Sequence, residues 1–146
     1  MSPLGAWIAV RGEFALFPIF LMLILMLWMG GFDIIYSTQD EEIDRQMGLH
    51  SAPARFGRNK ALKIALGSHL AMLGLCLAFG VYWKMGIAWW FVFSLMTIAI
   101  AYIHLFRKSD DLDSLNRDFF LANVGISFLV MVGLFVWILT GGTAFG

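Results

Sequence analysis

Long apolar runs, separated by short polar stretches, dominate the chain. Four of them approach or exceed the roughly 20 residues that a helix needs to cross a hydrocarbon core of about 30 Å. They cover residues 14–32, 64–83, 85–106 and 119–140. None of them contains an aspartate, glutamate, lysine or arginine, and their histidines are His69 and His104. In lipid a backbone must satisfy its own hydrogen bonds, so each run is predicted to be helical. The pattern predicts an all-α integral membrane bundle of four transmembrane helices, forming one membrane domain over residues 1–146.

The composition agrees with a membrane protein. Hydrophobic residues make up 60% of the chain and charged residues 14%, whereas a typical soluble domain is about 45–50% apolar and about 25% charged. A formal net charge of zero argues against a nucleic-acid partner, which favours a basic face. Pro18 falls inside the first apolar run, where a proline predicts a kinked helix.

The basic residues predict how the chain is oriented. Nearly all of them lie in the two long polar connections, and only Arg11 and Lys84 fall on the other side. The first connection carries Arg45, Arg55, Arg58, Lys60 and Lys63, and the second carries Arg107, Lys108 and Arg117. Because positive residues concentrate in cytoplasmic loops, both polar connections are predicted to be cytoplasmic and both termini to lie outside the cytoplasm.

The polar stretch at residues 33–60 holds the candidate chemistry. No glycine or proline interrupts residues 33–47, so the first helix is expected to continue past the bilayer and to stop at Gly48. On one helix Asp33, Asp40 and Asp44 would form a single acidic stripe. Such carboxylates suit a hard cation such as Mg²⁺, which shares phosphate oxygens and keeps waters. The alternative is an ordinary solvated helix end.

Two further features of this stretch refine the expectation. Glu41 and Glu42 point roughly 100–200° away from Asp40 on a continuous helix and are expected to matter less. Downstream, three cations could neutralise the oxygens of a diphosphate or contact anionic lipid headgroups. They are Arg55, Arg58 and Lys60. The second polar connection, residues 107–118, is expected to be a solvated turn.

The spacing of these residues resembles a known family motif. The pattern is Asp33-x-x-Tyr36-x-x-x-Asp40-x-x-x-Asp44, then Gly48-x-x-Ser51 and Phe56-Gly57. It is similar to the second aspartate-rich motif of the UbiA superfamily of intramembrane aromatic prenyltransferases. Within that superfamily, the residues of this stretch most resemble those of the bacterial 4-hydroxybenzoate polyprenyltransferases and their relatives in menaquinone synthesis.

The resemblance implies a specific activity. A polyprenyl group would pass from an allylic diphosphate to an aromatic acceptor such as 4-hydroxybenzoate, with Mg²⁺, in ubiquinone or menaquinone biosynthesis at the bacterial inner membrane. Asp40 and Asp44 would be the catalytic metal ligands. Asp33 and Tyr36 would line the substrate cavity, and the three downstream cations would contact the diphosphate.

The resemblance also implies that the site is shared with another segment. Members of the superfamily have nine transmembrane helices and a first aspartate-rich motif, N-D-x-x-D-x-x-x-D, which does not occur here. The chain is therefore expected to correspond to the second, C-terminal half of that fold, as a fragment or split product that needs an N-terminal half. The alternatives are a non-catalytic membrane remnant and a phospholipid-headgroup transferase, whose D-G-x-x-A-R element is also absent.

Overall fold

The regular structure of the protein is helical throughout the part that the computed structural model describes, residues 2–106 and 112–139. The helices in chain order are α1 (Ser2–Arg11), α2 (Leu16–Ser37), α3 (Glu41–Gln46), α4 (Ala52–Phe56), α5 (Arg58–Tyr82), α6 (Ile87–Ala101) and α7 (Leu112–Leu139). A π-helical turn, Tyr102–Phe106, extends α6. Residues 107–111 of the predicted solvated turn and the predicted end of the last span, Thr140, lie outside the described residues. Residues 112–118, also predicted to be a turn, instead form the beginning of α7.

Four helices are long and apolar enough to cross a membrane. The spans are Leu16–Ser37, Arg58–Tyr82, Ile87–Leu105 and Phe120–Leu139, with mean hydropathies between 1.7 and 2.2. The prediction of an all-α bundle with four transmembrane helices is confirmed. The second span begins six residues earlier than the apolar run at residue 64, because α5 starts directly after Gly57 and includes Lys60 and Lys63.

The predicted kink at Pro18 has no basis in the structure. Helix α2 begins at Leu16, so Pro18 lies in its first turn. The amide groups of a first helical turn have no partner within the helix, and a proline there removes no helical hydrogen bond.

The helices belong to two compact units whose boundary along the chain falls within α5, between Met72 and Leu73. In the first unit α1 packs against α2, and α4 packs against α2 and α3. In the second unit α6 packs against α7. The prediction of a single membrane domain over residues 1–146 stays a prediction.

In the first unit α5 packs with a narrow stripe of its surface. Its fully buried residues up to Met72 are Ala61, Ala65, His69 and Met72, a spacing of four, four and three that keeps them on one face. The His69 ring lies 5.8 Å from the Trp28 ring and 4.8 Å from the Phe32 ring, measured between centroids. Between those two aromatic residues α2 has Gly31, directly against the imidazole. The missing side chain at residue 31 therefore makes the space that His69 occupies.

In the second unit a similar arrangement involves Trp89. Its indole contacts the α5 backbone at Gly80, where a Cβ atom would lie 2.8 Å from the tryptophan Cδ1. The Phe79 ring lies 5.0 Å from the indole. The buried residues of α6 are Trp89, Val92, Met96 and Ile100, again one helical face. Both units thus bury one large ring against a glycine.

Candidate functional site

The acidic stretch is not one continuous helix. Helix α2 ends at Ser37, and the next three amides make short-range bonds to carbonyls three residues back, as in a 3₁₀ turn. The hydroxyl of Thr38 donates to the Ile35 carbonyl at 2.7 Å, and that of Ser37 donates to the Ile34 carbonyl at 2.9 Å. Such hydroxyl bonds compete with the helical ladder. The predicted single stripe from Asp33 through Asp44 is therefore wrong, because Asp33 lies on α2 while Asp40 precedes α3.

Asp40 and Asp44 still lie one helical turn apart. Asp40 is the residue before α3, and the Asp44 amide donates to the Asp40 carbonyl at 2.7 Å. Within the described residues, neither carboxylate makes a hydrogen bond or an ion pair. The D-x-x-x-D spacing thus gives two residues one turn apart whose carboxylate oxygens are available to a ligand.

The two glutamates between them are in a different state. Glu41 accepts a hydrogen bond from Arg45 at 2.9 Å, and its other oxygen lies 3.9 Å from the Arg58 Nε. Glu42 accepts a hydrogen bond from Gln46 at 3.1 Å and lies 3.8 Å from Arg45. The four acids of residues 40–44 therefore fall into two groups. Glu41 and Glu42 are neutralised by neighbouring side chains, whereas Asp40 and Asp44 have no ion pair.

The glycines and the serine of the motif determine the path of the chain after α3. Gly48 has φ +69° and ends α3 in a Schellman arrangement, with the Leu49 amide donating to the Asp44 carbonyl at 2.8 Å. Ser51 caps α4 by accepting the Ala54 amide at 3.3 Å. Gly57, with φ +80°, then turns the chain directly into α5. The prediction that the first helix continues to Gly48 is wrong, because α2 ends at Ser37 and Gly48 follows the separate helix α3.

The remaining predicted site residues are placed as follows. Asp33 and Tyr36 lie near the C-terminal end of α2, both exposed, and their spacing of three puts them on neighbouring positions of that helix. Lys60 is exposed in the first turn of α5. The structure brings neither Asp33 nor Lys60 into a contact with the aspartate pair, and their roles stay predictions.

Arg55 and Arg58 differ in whether the guanidinium group already contacts polar groups of the protein. Arg58 donates from Nη2 to the Thr38 carbonyl at 2.9 Å, across 20 residues of sequence, in addition to its ion pair with Glu41. Arg55 is exposed, and its guanidinium carbon lies 5.4 Å from the centroid of the Phe56 ring. It lines an open cavity of about 490 Å³ together with Arg45, Gly48, Leu49, His50 and Ala54. Arg55 is therefore the more accessible of the two arginines to an anionic ligand.

Sequence reasoning did not predict the contacts of Glu41, Arg45 and His50 in this region: Glu41 was expected to matter less than the aspartates, and Arg45 was considered only for its charge. The spacing of four between Glu41 and Arg45 is the signal for a helical ion pair and could have identified that contact. The contacts of Arg58 with Glu41 and with the Thr38 carbonyl had no such local signal, because these residues are far apart in the sequence. His50 follows the helix stop and reaches the cavity only because of the turn at Gly48.

The fit of a divalent cation depends on the aspartate pair. Among the described residues no group of three or more histidine, cysteine, aspartate or glutamate side chains is arranged as a metal site. Magnesium is nevertheless commonly held by one or two carboxylates, with waters and substrate phosphates completing its shell. Two unpaired carboxylates one turn apart fit that mode of binding.

Comparison with known proteins identifies the family. The sequence model of the UbiA prenyltransferase family matches residues 1–124, which is most of the 146 residues. Searches of curated proteins and of solved structures returned no match. The resemblance seen in the acidic motif is confirmed at the level of the family, and the narrower likeness to 4-hydroxybenzoate polyprenyltransferases stays a prediction. The chain belongs to the UbiA prenyltransferase family.

Proposed function

We propose that the chain contributes to Mg²⁺-dependent transfer of a polyprenyl group from an allylic diphosphate to an aromatic acceptor such as 4-hydroxybenzoate, in ubiquinone or menaquinone biosynthesis. Membership of the family supports prenyl transfer in general. The observation that carries the proposal is the unpaired pair Asp40 and Asp44 beside the end of a span, where the neighbouring glutamates are already neutralised.

In this proposal Asp40 and Asp44 would hold the cation. When bound, it would neutralise the diphosphate and make it a better leaving group. Arg55, on the open cavity, would contact diphosphate oxygens directly, and Lys60 would add a second positive charge. Arg58 was also expected to bind substrate, and its contacts with Glu41 and the Thr38 carbonyl favour an indirect contribution.

The acceptor and the lipid chain belong near the membrane end of the site. Asp33 and Tyr36, exposed at the end of α2, would line the cavity that admits the aromatic ring. The apolar spans keep water away from the reacting carbon, which matters because an allylic cation reacts readily with water. The polyprenyl tail would extend along the apolar helix surfaces into the bilayer.

We further propose that a second, N-terminal segment supplies the other aspartate-rich motif. Supporting this, a set of small residues on α5 is exposed, and small residues let helices approach closely. They are Gly67, Ala71, Gly74 and Ala78. An N-terminal half could pack there and face the aspartate pair with its own carboxylates.

The purified chain is expected to show no prenyl transfer by itself and to gain activity when co-expressed with the N-terminal half of a family member. The cation held by one set of carboxylates cannot bind a diphosphate from both sides. The measurement is formation of prenylated 4-hydroxybenzoate in membranes supplied with polyprenyl diphosphate and Mg²⁺. Co-expression with the Asp40→Ala variant is the control. Turnover by the chain alone, at the rate of a complete family member, would contradict the shared site.

The polar segments are proposed to face the cytoplasm of a bacterial inner membrane. In a background with Cys76 replaced by alanine, cysteine at Arg55 is expected to react only with reagents that reach the cytoplasm. Cysteine at Lys84 is expected to react only from the opposite side, because positive residues concentrate on the cytoplasmic side. Labelling of both positions from the same side would refute this orientation.

A further inference from the structure

The structure shows a cluster of charges that joins α2, α3 and α5 and whose α3 residues are next to the aspartate pair in the chain. We name it the Glu41 clasp: the side chains of Glu41, Arg45 and Arg58 with the backbone carbonyl of Thr38. Arg58, at the start of α5, donates to the Thr38 carbonyl just after α2. Its Nε also faces Glu41 on α3. The clasp therefore ties α3 both to the end of α2 and to the beginning of α5.

The contacts of α3 explain why it needs such a clasp. The helix has only six residues and no buried residue, so apolar packing contributes little to its position. Isolated helices of this length are unstable in water. The Glu41 side chain is 20% exposed and that of Arg58 34%, whereas the Glu42 side chain is 73% exposed. Of the two glutamates, Glu41 is the one that is held between elements.

The clasp lies next to the candidate ligands in the chain. Asp40 immediately precedes Glu41, and Asp44 immediately precedes Arg45. A movement of α3 away from Arg58 would therefore displace both carboxylates together. Metal affinity depends on such outer contacts, whose loss commonly weakens binding about 10–100-fold.

We propose that Glu41 and Arg58 are positioning residues, which hold α3 so that Asp40 and Asp44 present their carboxylates jointly to a divalent cation. This inference rests on the proposed function for the identity of the cation site. It changes the expectation for Glu41, which the sequence alone predicted to matter less than Asp40 and Asp44. It also gives Arg58 a role that does not require contact with substrate.

The test uses Mn²⁺ as a paramagnetic probe and needs no turnover. Ile43, 56% exposed on α3, is replaced by cysteine in a Cys76→Ala background, and a nitroxide is attached to the purified chain in lipid. Mn²⁺ bound at Asp40 and Asp44 would broaden the nitroxide spectrum. The measured quantity is the Mn²⁺ concentration that gives half of the maximal broadening.

Glu41→Gln and Arg58→Gln are each expected to raise that concentration about tenfold or more and to increase label mobility. Glu42→Gln removes the same charge as Glu41→Gln and is expected to change the concentration less than about twofold, since exposed pairs contribute little. Arg58→Gln distinguishes a positioning role from a purely electrostatic one more clearly than Glu41→Gln does. Removing a positive charge would strengthen cation binding by electrostatics alone, so weaker binding reports lost positioning. Arg58→Lys, which keeps the charge and a donor, is expected to restore part of the affinity.

The outcomes separate the two proposals. If broadening is the same in Asp40→Ala and Asp44→Ala as in the parent chain, the proposed cation site is wrong. If broadening requires both aspartates but Glu41→Gln behaves like Glu42→Gln, the clasp is wrong and the proposed function stands. Tighter Mn²⁺ binding in Arg58→Gln would likewise overturn the positioning role.

Discussion

Replacing Asp40 or Asp44 with alanine is expected to abolish prenyl transfer, with a loss of at least about 100-fold in turnover, equivalent to about 2.7 kcal/mol in activation free energy. Each substitution removes a carboxylate from the pair that would hold the cation beside the diphosphate. Neither carboxylate supports the fold through an ion pair within the described residues. Loss of activity should therefore occur without loss of the folded protein. The measurement is product formation at saturating Mg²⁺ in the co-expressed complex.

Glu42→Ala is the matched control for both variants. It removes a carboxylate of the same short helix, 73% exposed, and is expected to keep activity within about twofold because surface substitutions usually change stability by less than 0.5 kcal/mol. Glu41→Ala is unsuitable as a neutral control, since Glu41 belongs to the clasp. Equal activity of Asp40→Ala, Asp44→Ala and Glu42→Ala would mean that the aspartate pair has no chemical role.

Gly31→Ala is expected to destabilise the first unit by about 1–3 kcal/mol, as is typical of overpacking in a filled core. A Cβ atom at this position would lie 2.6 Å from the His69 Cδ2 and would also collide with Nε2. The imidazole is fully buried between Trp28 and Phe32, so it has little room to move. The measurement is the unfolding midpoint of the purified chain in detergent.

Two variants make this result specific. Gly30→Ala changes the neighbouring residue of the same helix, where nothing lies within 4 Å of the added methyl group. It is expected to be neutral or stabilising, because alanine costs less conformational entropy than glycine in a helix. Adding His69→Ala to Gly31→Ala removes the colliding ring, and the two changes should be strongly non-additive. Equal midpoints for Gly30→Ala and Gly31→Ala would contradict the tight contact.

Several properties followed from the sequence because they depend on local interactions. The number of spans follows from hydropathy and length, since a bilayer requires about 20 apolar residues whatever their neighbours. The D-x-x-x-D spacing predicted two aspartates one helical turn apart, and the backbone amide of Asp44 does donate to the backbone carbonyl of Asp40. Gly48 was predicted to end a helix because glycine adopts a positive φ without strain, and it does follow one, although that helix is α3 and not the first span.

Other properties were determined by contacts between distant residues. Helix α2 ends at Ser37 although no glycine or proline stops it, and Arg58, 20 residues after Thr38, stabilises the carbonyl at that break. The same arginine distinguishes Glu41 from Glu42, which are alike in the sequence. His69 is buried rather than exposed because Gly31 on another helix leaves space for its ring. Periodicity describes one helix at a time, and only the contacts of α5 with α2 and α3 decide which charges and rings meet.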